Sequence, residues 1–257
     1  MNITICCPSY RRPKVETLKY IPFCRVYVDE AEYEDYKREN PTAEIIRCPV
    51  GIQGNVSRVK NYILRTELEQ NNNDVCLLVD DDLRYIGYYE GGKQYKLQTD
   101  EIIPFIEKYS ILAQDIGAFL WGVNVNKDPQ SYMAYTPFNT SSFVGGPFHC
   151  FLRGNDCFYD EELPLKEDYD MTIQQLNKHR VVLRVNKFHY DCKQSEQAGG
   201  CATYRNLERE KEQVLKLQKK WGSKIVKIDK GGKNHNVVRQ RTTLDYNPII
   251  KVPIKGV

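Results

Sequence analysis

Residues 75–82 read Val75-Cys76-Leu77-Leu78-Val79-Asp80-Asp81-Asp82. The first five form the most apolar short run in the chain and read as a buried strand. Three consecutive carboxylates directly at its end do not follow from propensity, because like charges this close repel and raise one another's pKa. A divalent cation resolves the conflict. Hard oxygen ligands favour magnesium or manganese, which bind through one or two carboxylates and leave positions for substrate phosphates. Asp80 and Asp82 share a side in extended chain and so make an Asp-x-Asp pair. The competing structural reading is an N-cap cluster ahead of a helix.

Upstream, Ile3 to Cys7 is an apolar run ending at Pro8 and the turn-like Ser9-Tyr10-Arg11-Arg12-Pro13, a buried strand running into a loop. Arg25 to Val28 ends at Asp29, a charged helical stretch spans Glu30 to Glu39, and Ile45-Ile46 marks a third strand. A helix from about Asn55 to Glu69 carries Val56, Val59, Ile63 and Leu68 at helical spacing, and Asn71 to Asp74 breaks it. Alternating strands and helices imply a parallel sheet with right-handed crossovers. Ligands bind at the carboxyl ends of such strands, which puts Pro8 to Arg12, Asp29 and Asp80 to Asp82 along one rim.

Downstream, Gly91-Gly92 reads as a hairpin turn between Tyr-rich strands, Asp100 to Asp115 as a helix and Ala118 to Val125 as a strand. Phe143 to Phe151 reads as a glycine-containing strand or loop, Asp168 to His179 as a helix, and Val181 to Phe188 as a strand. Residues 203 to 221 form a charged amphipathic helix with Leu207, Val214, Leu217 and Trp221 on the apolar side. Three features here bear on chemistry. Gly145-Gly146 permits close backbone approach to a ligand, although taken alone a plain β-bulge explains it better. Lys166-Glu167-Asp168-Tyr169-Asp170 opens a helix, where capping and the dipole favour acid, or where one carboxylate serves as a general base. His189 ends its strand and gains a role only by converging on Asp80 and Asp82.

The chain has 257 residues, 41% of them apolar and 28% charged. These proportions exclude disordered, collagenous and low-complexity classes and suit a chain that buries a core. With no Pro-, Gly- or Ser-rich linker, residues 1–222 read as one domain and 223–257 as an appended basic extension packed on or near it. The formal charge of +3 conceals an asymmetry: residues 1–190 carry 22 basic and 27 acidic side chains, whereas residues 191–257 carry 15 and 7. A basic end on an acidic body suits an anionic partner such as phosphates or nucleic acid. No apolar run reaches the roughly 18 residues of a membrane span. Arg11 and Arg12 follow the first apolar stretch rather than precede it, the wrong order for a secretory signal. Nine irregularly spaced cysteines without a CxxC read as reduced thiols of a cytoplasmic protein, and Cys150, Cys157, Cys192 and Cys201 do not have the spacing of a zinc knuckle.

In this order, the elements resemble glycosyltransferases of the GT-A fold, a Rossmann-like, mostly parallel twisted α/β sheet flanked by helices. Ile-Cys-Cys-Pro-Ser-Tyr-Arg-Arg-Pro at 5–13 is similar to the first nucleotide-binding strand and loop of glycosyltransferase family 2. Gly54-Asn55-Val56-Ser57-Arg58-Val59-Lys60-Asn61, leading into Leu78-Val79-Asp80-Asp81-Asp82, is similar to that family's helix before its Asp-x-Asp strand. The glycine loop, Glu167-Asp168 and the late His189 match the remaining core elements. The resemblance spans residues 3 to 189, about three quarters of the chain.

The resemblance implies a nucleotide-sugar-dependent transferase. Asp80 and Asp82 would hold Mn2+ or Mg2+ on the diphosphate of a UDP-sugar, with His189 as a further ligand. Pro8, Tyr10, Arg12, Asp29, Arg58, Asn61 and Asp81 would frame the donor, and Gly145, Gly146 and Arg205 would line the acceptor side. Asp168, next to Glu167, would deprotonate the acceptor hydroxyl, giving inversion at the anomeric carbon. A narrower resemblance, carried by His189-Tyr190-Asp191-Cys192, Gly199-Gly200-Cys201-Ala202-Thr203-Tyr204-Arg205 and Lys220-Trp221-Gly222, is to glycosyltransferases associated with TET/JBP dioxygenases in bacteriophages. It implies UDP-glucose or UDP-N-acetylglucosamine as donor and 5-hydroxymethylcytosine in DNA as acceptor. Lys219, Lys220, Lys224, Lys227, Lys230, Lys233, Arg239 and Arg241 would contact phosphates. The rival readings are a GT-A enzyme acting on a glycan, lipid, protein or small molecule, a nucleotidyltransferase, and a non-catalytic DNA-binding module. Pro8 to Pro13 lacks the glycines of a nucleotidyltransferase signature.

Overall fold

The computed structural model describes residues 1–193, 199–228 and 246–251. The chain opens with β1 (Ile3–Pro8), β2 (Arg25–Asp29), α1 (Tyr33–Glu39) and β3 (Ile45–Cys48). Helix α2 (Val56–Leu64) starts where Asn55 Oδ1 accepts from the N–H groups of Ser57 and Arg58, at 3.0 and 3.3 Å. That cap satisfies donors the first helical turn leaves unpaired. A π turn over Arg65–Gln70 carries the chain into β4 (Val75–Val79). β5 (Leu83–Glu90) and β6 (Lys93–Lys96) form the expected hairpin, with Gly91 and Gly92 at φ 55° and 73°. A two-residue turn matched to the strand twist requires such angles. There follow α3 (Ile102–Asp115), β7 (Leu120–Asn124), β8 (Phe138–Asn139), β9 (Phe148–Leu152), α4 (Glu167–Lys178) and β10 (Leu183–Cys192). Helix α5 (Leu207–Trp221) and the strands β11 (Val226–Lys227) and β12 (Ile249–Ile250) complete the description.

Among the described residues, ten strands make one sheet in the order β3-β2-β1-β4-β9-β7-β10-β5-β6, with β8 paired to β10. The first four are parallel, as alternating strands and helices dictate. β9 enters antiparallel between β4 and β7, and β10 joins β7 in parallel and β5 antiparallel, so the sheet is mixed beyond β4. Every residue of β4, β7 and β9 is buried. Successive side chains of β4 feed opposite faces: Leu77 belongs to the buried cluster that includes Val26, Trp121 and Phe148, whereas Leu78 belongs to the one that includes Tyr27, Phe151 and Met171.

Two sequence expectations shift. β10 runs to Cys192, so His189 lies inside the strand rather than at its end. In α5, Val214 and Leu217 pack inward, but Leu207 in the first turn is 48% exposed. Val226 packs with Leu163, Ile173 and Leu217, so the start of the 223–257 segment is tied to the main body. Lys230, Lys233, Arg239 and Arg241 lie outside the described residues. All nine cysteines are free. No helix among the described residues is long and apolar enough to cross a membrane.

Candidate active site

β1 and β4 pair in parallel with Cys6 beside Leu78, so their carboxyl ends bring Pro8-Ser9 and Asp80-Asp81-Asp82 out side by side. Thr17 fixes the acidic backbone: its Oγ1 donates to Asp80 O at 2.6 Å and accepts from Leu83 N at 3.0 Å, and its N–H donates to Asp81 O at 3.2 Å. Asp81 is engaged within the protein. Ser9 Oγ donates to its Oδ2 at 2.5 Å and the Arg12 guanidinium pairs with its Oδ1. Asp82 Oδ1, in contrast, is buried without any hydrogen-bond partner. Leaving a carboxylate oxygen so is costly unless a cation meets it.

Burial pushes Asp80 and Asp81 up to about 6. For Asp80, Lys60 opposes the rise while Asp82 and Glu167 add to it; for Asp81, Arg12 and Ser9 oppose it. Asp82 is raised by burial and by Asp81. A divalent ion would reverse this penalty, since its charge favours the ionised carboxylates that the protein alone disfavours. Asp80 and Asp82 therefore fit a hard cation, with Asp81 held aside by Ser9 and Arg12.

The facing wall is the first turn of α4. Asp168 Oδ2 accepts from Gly146 N at 3.2 Å and Oδ1 accepts from Tyr169 N at 2.8 Å. A Cβ on Gly146 would lie 3.3 Å from the Asp168 Cβ and 3.4 Å from Oδ2, so the glycine lets the loop close on this carboxylate. Burial raises Asp168 to about 7, Glu167 adds to it, and Lys60, Lys166 and the Gly146 N–H oppose it. A carboxylate so placed exchanges protons near neutrality. Lys60 reaches across from α2, with Nζ 3.1 Å from Glu167 Oε1 and 5.4 Å from the centre of the Tyr159 ring.

The segment Gly199–Arg205 forms the third side. Gly200 N donates to Tyr10 O at 2.8 Å and Arg12 Nη2 to Gly199 O at 3.4 Å. Gly199 has φ 97°, and a Cβ there would lie 2.7 Å from Arg11 O. Tyr204 OH donates to Cys201 Sγ at 3.0 Å, and Arg205 pairs with Glu210 at 3.0 Å. The three sides enclose a cleft of about 550 Å³.

Of the residues singled out in the sequence, Pro8, Tyr10, Arg12, Asp80, Asp81, Asp82, Gly146, Glu167, Asp168 and Arg205 line this cleft. Five do not. Asp29 Oδ1 caps the turn after β2 by accepting from Ala31 N at 2.9 Å. Arg58 Nε pairs with Glu161 at 3.1 Å and its Nη1 donates to Gly51 O at 2.6 Å. Asn61 bonds both backbone groups of Tyr159 at 2.8 Å, a packing role. Gly145 backs onto the Tyr190 hydroxyl, which a Cβ would meet at 2.5 Å. His189 is buried against the β5–β6 hairpin, its Nε2 2.6 Å from Gln94 Nε2 and its ring stacked on Tyr89 at 4.8 Å. Because β10 continues three residues past His189, it is the end of this strand that reaches the acidic triplet, with Lys193 N donating to the Asp82 carbonyl at 3.3 Å. Lys60, Ser9 and Cys201 were not assigned roles from sequence. Lys60 was visible as a cation in the α2 segment, but its partner is 107 residues away.

No protein-family profile matches the chain, and no curated protein does. Solved structures do. Glucosyl-3-phosphoglycerate synthase from Mycobacterium tuberculosis, in complex with Mn2+, UDP-glucose and phosphoglyceric acid, aligns with a TM-score of 0.50 and 12% identity over 88% of this chain and 83% of that one. S. aureus TarS 1-349, in complex with UDP, aligns with a TM-score of 0.44 and 13% identity over 74% of this chain, which spans 59% of the TarS chain. The likeness to the synthase is one of fold: the chain has the GT-A architecture.

Proposed function

We propose that the protein is a metal-dependent glycosyltransferase that moves a sugar from a UDP-sugar to a hydroxyl group, and that the acceptor is 5-hydroxymethylcytosine in DNA. The observation that carries the reaction class is the pairing, across one cleft, of the orphaned Asp82 Oδ1 with an Asp168 raised to about 7. Asp80 and Asp82 would hold Mn2+ or Mg2+; when bound, the ion neutralises charge on the leaving diphosphate. The Mn2+ and UDP-glucose in the M. tuberculosis synthase support this donor and metal. Asp168 takes the proton from the acceptor hydroxyl, whose oxygen bonds to the anomeric carbon as the bond to the UDP oxygen breaks, giving inversion. The Gly146 N–H orients the Asp168 carboxylate, and Lys60 holds Glu167 beside it.

Two features favour DNA as acceptor. Gly200, Cys201, Ala202, Tyr204 and Arg205, which carry the narrower sequence resemblance, line the cleft with Glu167 and Asp168. The charge excess of residues 191–257, 15 basic against 7 acidic, suits a phosphate backbone. Within it, Lys220 is engaged by Asp160 and Asp170 at 2.7 and 2.9 Å, so exposed Lys219, Lys224 and Lys227 would meet the phosphates instead. A base in duplex DNA would have to be flipped out to enter. The test is incubation with labelled UDP-glucose or UDP-N-acetylglucosamine, Mn2+, and hydroxymethylated or plain cytosine DNA. Label on the hydroxymethylated DNA alone is the expected result. Donor hydrolysis without label on either DNA would discard the acceptor and keep the class, returning glycan, protein and small-molecule acceptors to the front.

A further inference from the structure

Three side chains converge at the C-terminal end of α4, opposite to the end that carries Glu167 and Asp168. His179, which closes the helix, presents the same ring nitrogen to two neighbours: Nε2 lies 2.9 Å from Asp156 Oδ1 and 3.8 Å from Cys157 Sγ. Cys157 Sγ is in turn 4.0 Å from Asp156 Oδ1. Imidazole nitrogen, thiol sulfur and carboxylate oxygen thus form a triangle whose atoms all lie within 4.8 Å of one another.

We propose that Asp156, Cys157 and His179 form a zinc site, with solvent as the fourth ligand. Tetrahedral zinc, with bonds of about 2.3 Å to sulfur and about 2.0 Å to nitrogen and oxygen, spaces its ligand atoms roughly 3.3 to 3.6 Å apart. The three edges here, 2.9, 3.8 and 4.0 Å, straddle that spacing, so shifts of a few tenths of an ångström close the site. A nucleophilic Cys-His-Asp relay does not fit, because it needs one ring nitrogen on the nucleophile and the other on the carboxylate. Here Nε2 faces both. A plain hydrogen-bond network accounts for two of the three edges, with the imidazole N–H and the thiol both donating to Asp156 Oδ1, and leaves the 3.8 Å approach of Nε2 to Sγ without a role, which a shared ion supplies.

The donor set also selects the ion. Thiolate and imidazole suit zinc, whereas the oxygen-only Asp80 and Asp82 suit magnesium or manganese, so the two sites do not compete. Cys157 is buried and Asp156 is exposed, which leaves an open approach. Lys178 Nζ, 2.6 Å from Asp156 Oδ2, holds the carboxylate's second oxygen, and the Phe119 ring backs the imidazole at 4.7 Å. An ion here pins the segment after β9 to the end of α4. The same segment continues to Leu165 and Lys166 in the cleft wall, so its role is to stiffen that wall.

The test uses the full chain, stripped with a chelator and kept in excess Mg2+. Titration with Co2+ is expected to give a thiolate-to-cobalt charge-transfer band saturating at one equivalent, displaced by Zn2+ and lost in Cys157→Ser. His179→Gln should weaken Co2+ binding by at least the roughly 10- to 100-fold that loss of an outer-shell partner costs. Zn2+ should raise the melting temperature of the wild type and not that of His179→Gln. If Cys157→Ser does not fold, His179→Gln carries the comparison. A wild type without the band, or a band retained at equal affinity in either folded variant, overturns the site. None of these readings depends on glycosyl transfer.

Discussion

Lys60 Nζ lies 3.1 Å from Glu167 Oε1, and only 2% of the lysine is exposed. Burial pulls its pKa down, but Glu167, Tyr159, Asp80 and Asp168 together push it above the ordinary lysine value, so it remains charged. Lys60 is thereby the counter-ion that lets several carboxylates share one cleft. Lys60→Met should destabilise the protein by about 3–5 kcal/mol, the cost of breaking a buried pair from one side. The double variant Lys60→Met/Glu167→Gln should recover part of that loss. Urea unfolding checks both; a single variant as stable as wild type contradicts the role.

The raised carboxylates set a pH dependence. Asp80 and Asp81 stand at about 6 and Asp168 at about 7, all above their unfolded values, so the folded state binds more protons across that window. Their contribution to stability is full below about pH 4 and is lost as pH rises through about 6 to 7. Mn2+ should offset the loss by favouring ionised Asp80 and Asp82. The gap in melting temperature between Mn2+ and EDTA samples should therefore widen from about pH 5 to about pH 8. A gap that narrows over that range would contradict the metal assignment.

Asp168→Asn keeps the side-chain shape but cannot accept a proton. Transfer should fall by about 10²- to 10⁴-fold with UDP binding retained. Gly146→Ala, whose Cβ would crowd Asp168 at 3.3 Å, should lower transfer by less and also spare UDP binding. Rate measurements at saturating donor, paired with UDP titration, separate the two effects; normal turnover in Asp168→Asn excludes it as the base.

His189 faces a Cβ-free position: a methyl at Gly87 would sit 2.3 Å from its Nε2. Gly87→Ala should cost about 1–3 kcal/mol by overpacking. His189→Ala in the same background should relieve most of it. His189→Ala alone should leave Mn2+ affinity unchanged, and a large loss of Mn2+ binding would return this histidine to the metal site.

Legibility in the sequence followed locality. The strand-plus-triplet at 75–82, the β1 loop and the acidic start of α4 each lie within about ten consecutive residues, and the parallel rule aligns the first two at one rim. The Gly91-Gly92 hairpin and the start of the helix near Asn55 were legible for the same reason. His189 was misplaced because β10 extends past Phe188, a boundary that pattern alone does not fix. Asp29, Arg58, Asn61 and Gly145 look like ligand residues in sequence, yet each is engaged by a local or packing partner that appears only when the chain is folded. Lys60 shows the converse, since its role comes from Glu167, Asp80 and Asp168 arriving from other elements. The antiparallel insertion of β9 between β4 and β7 has no short-range signal at all.

The most direct measurement is calorimetric titration of UDP into the full chain, in Mn2+ and in EDTA, for wild type and Asp82→Ala. Wild type should bind UDP in Mn2+ and lose it in EDTA, and Asp82→Ala should lose it in Mn2+ while remaining folded. Equal UDP affinity in EDTA, or in Asp82→Ala with Mn2+, would contradict a donor site built on a cation held by Asp80 and Asp82.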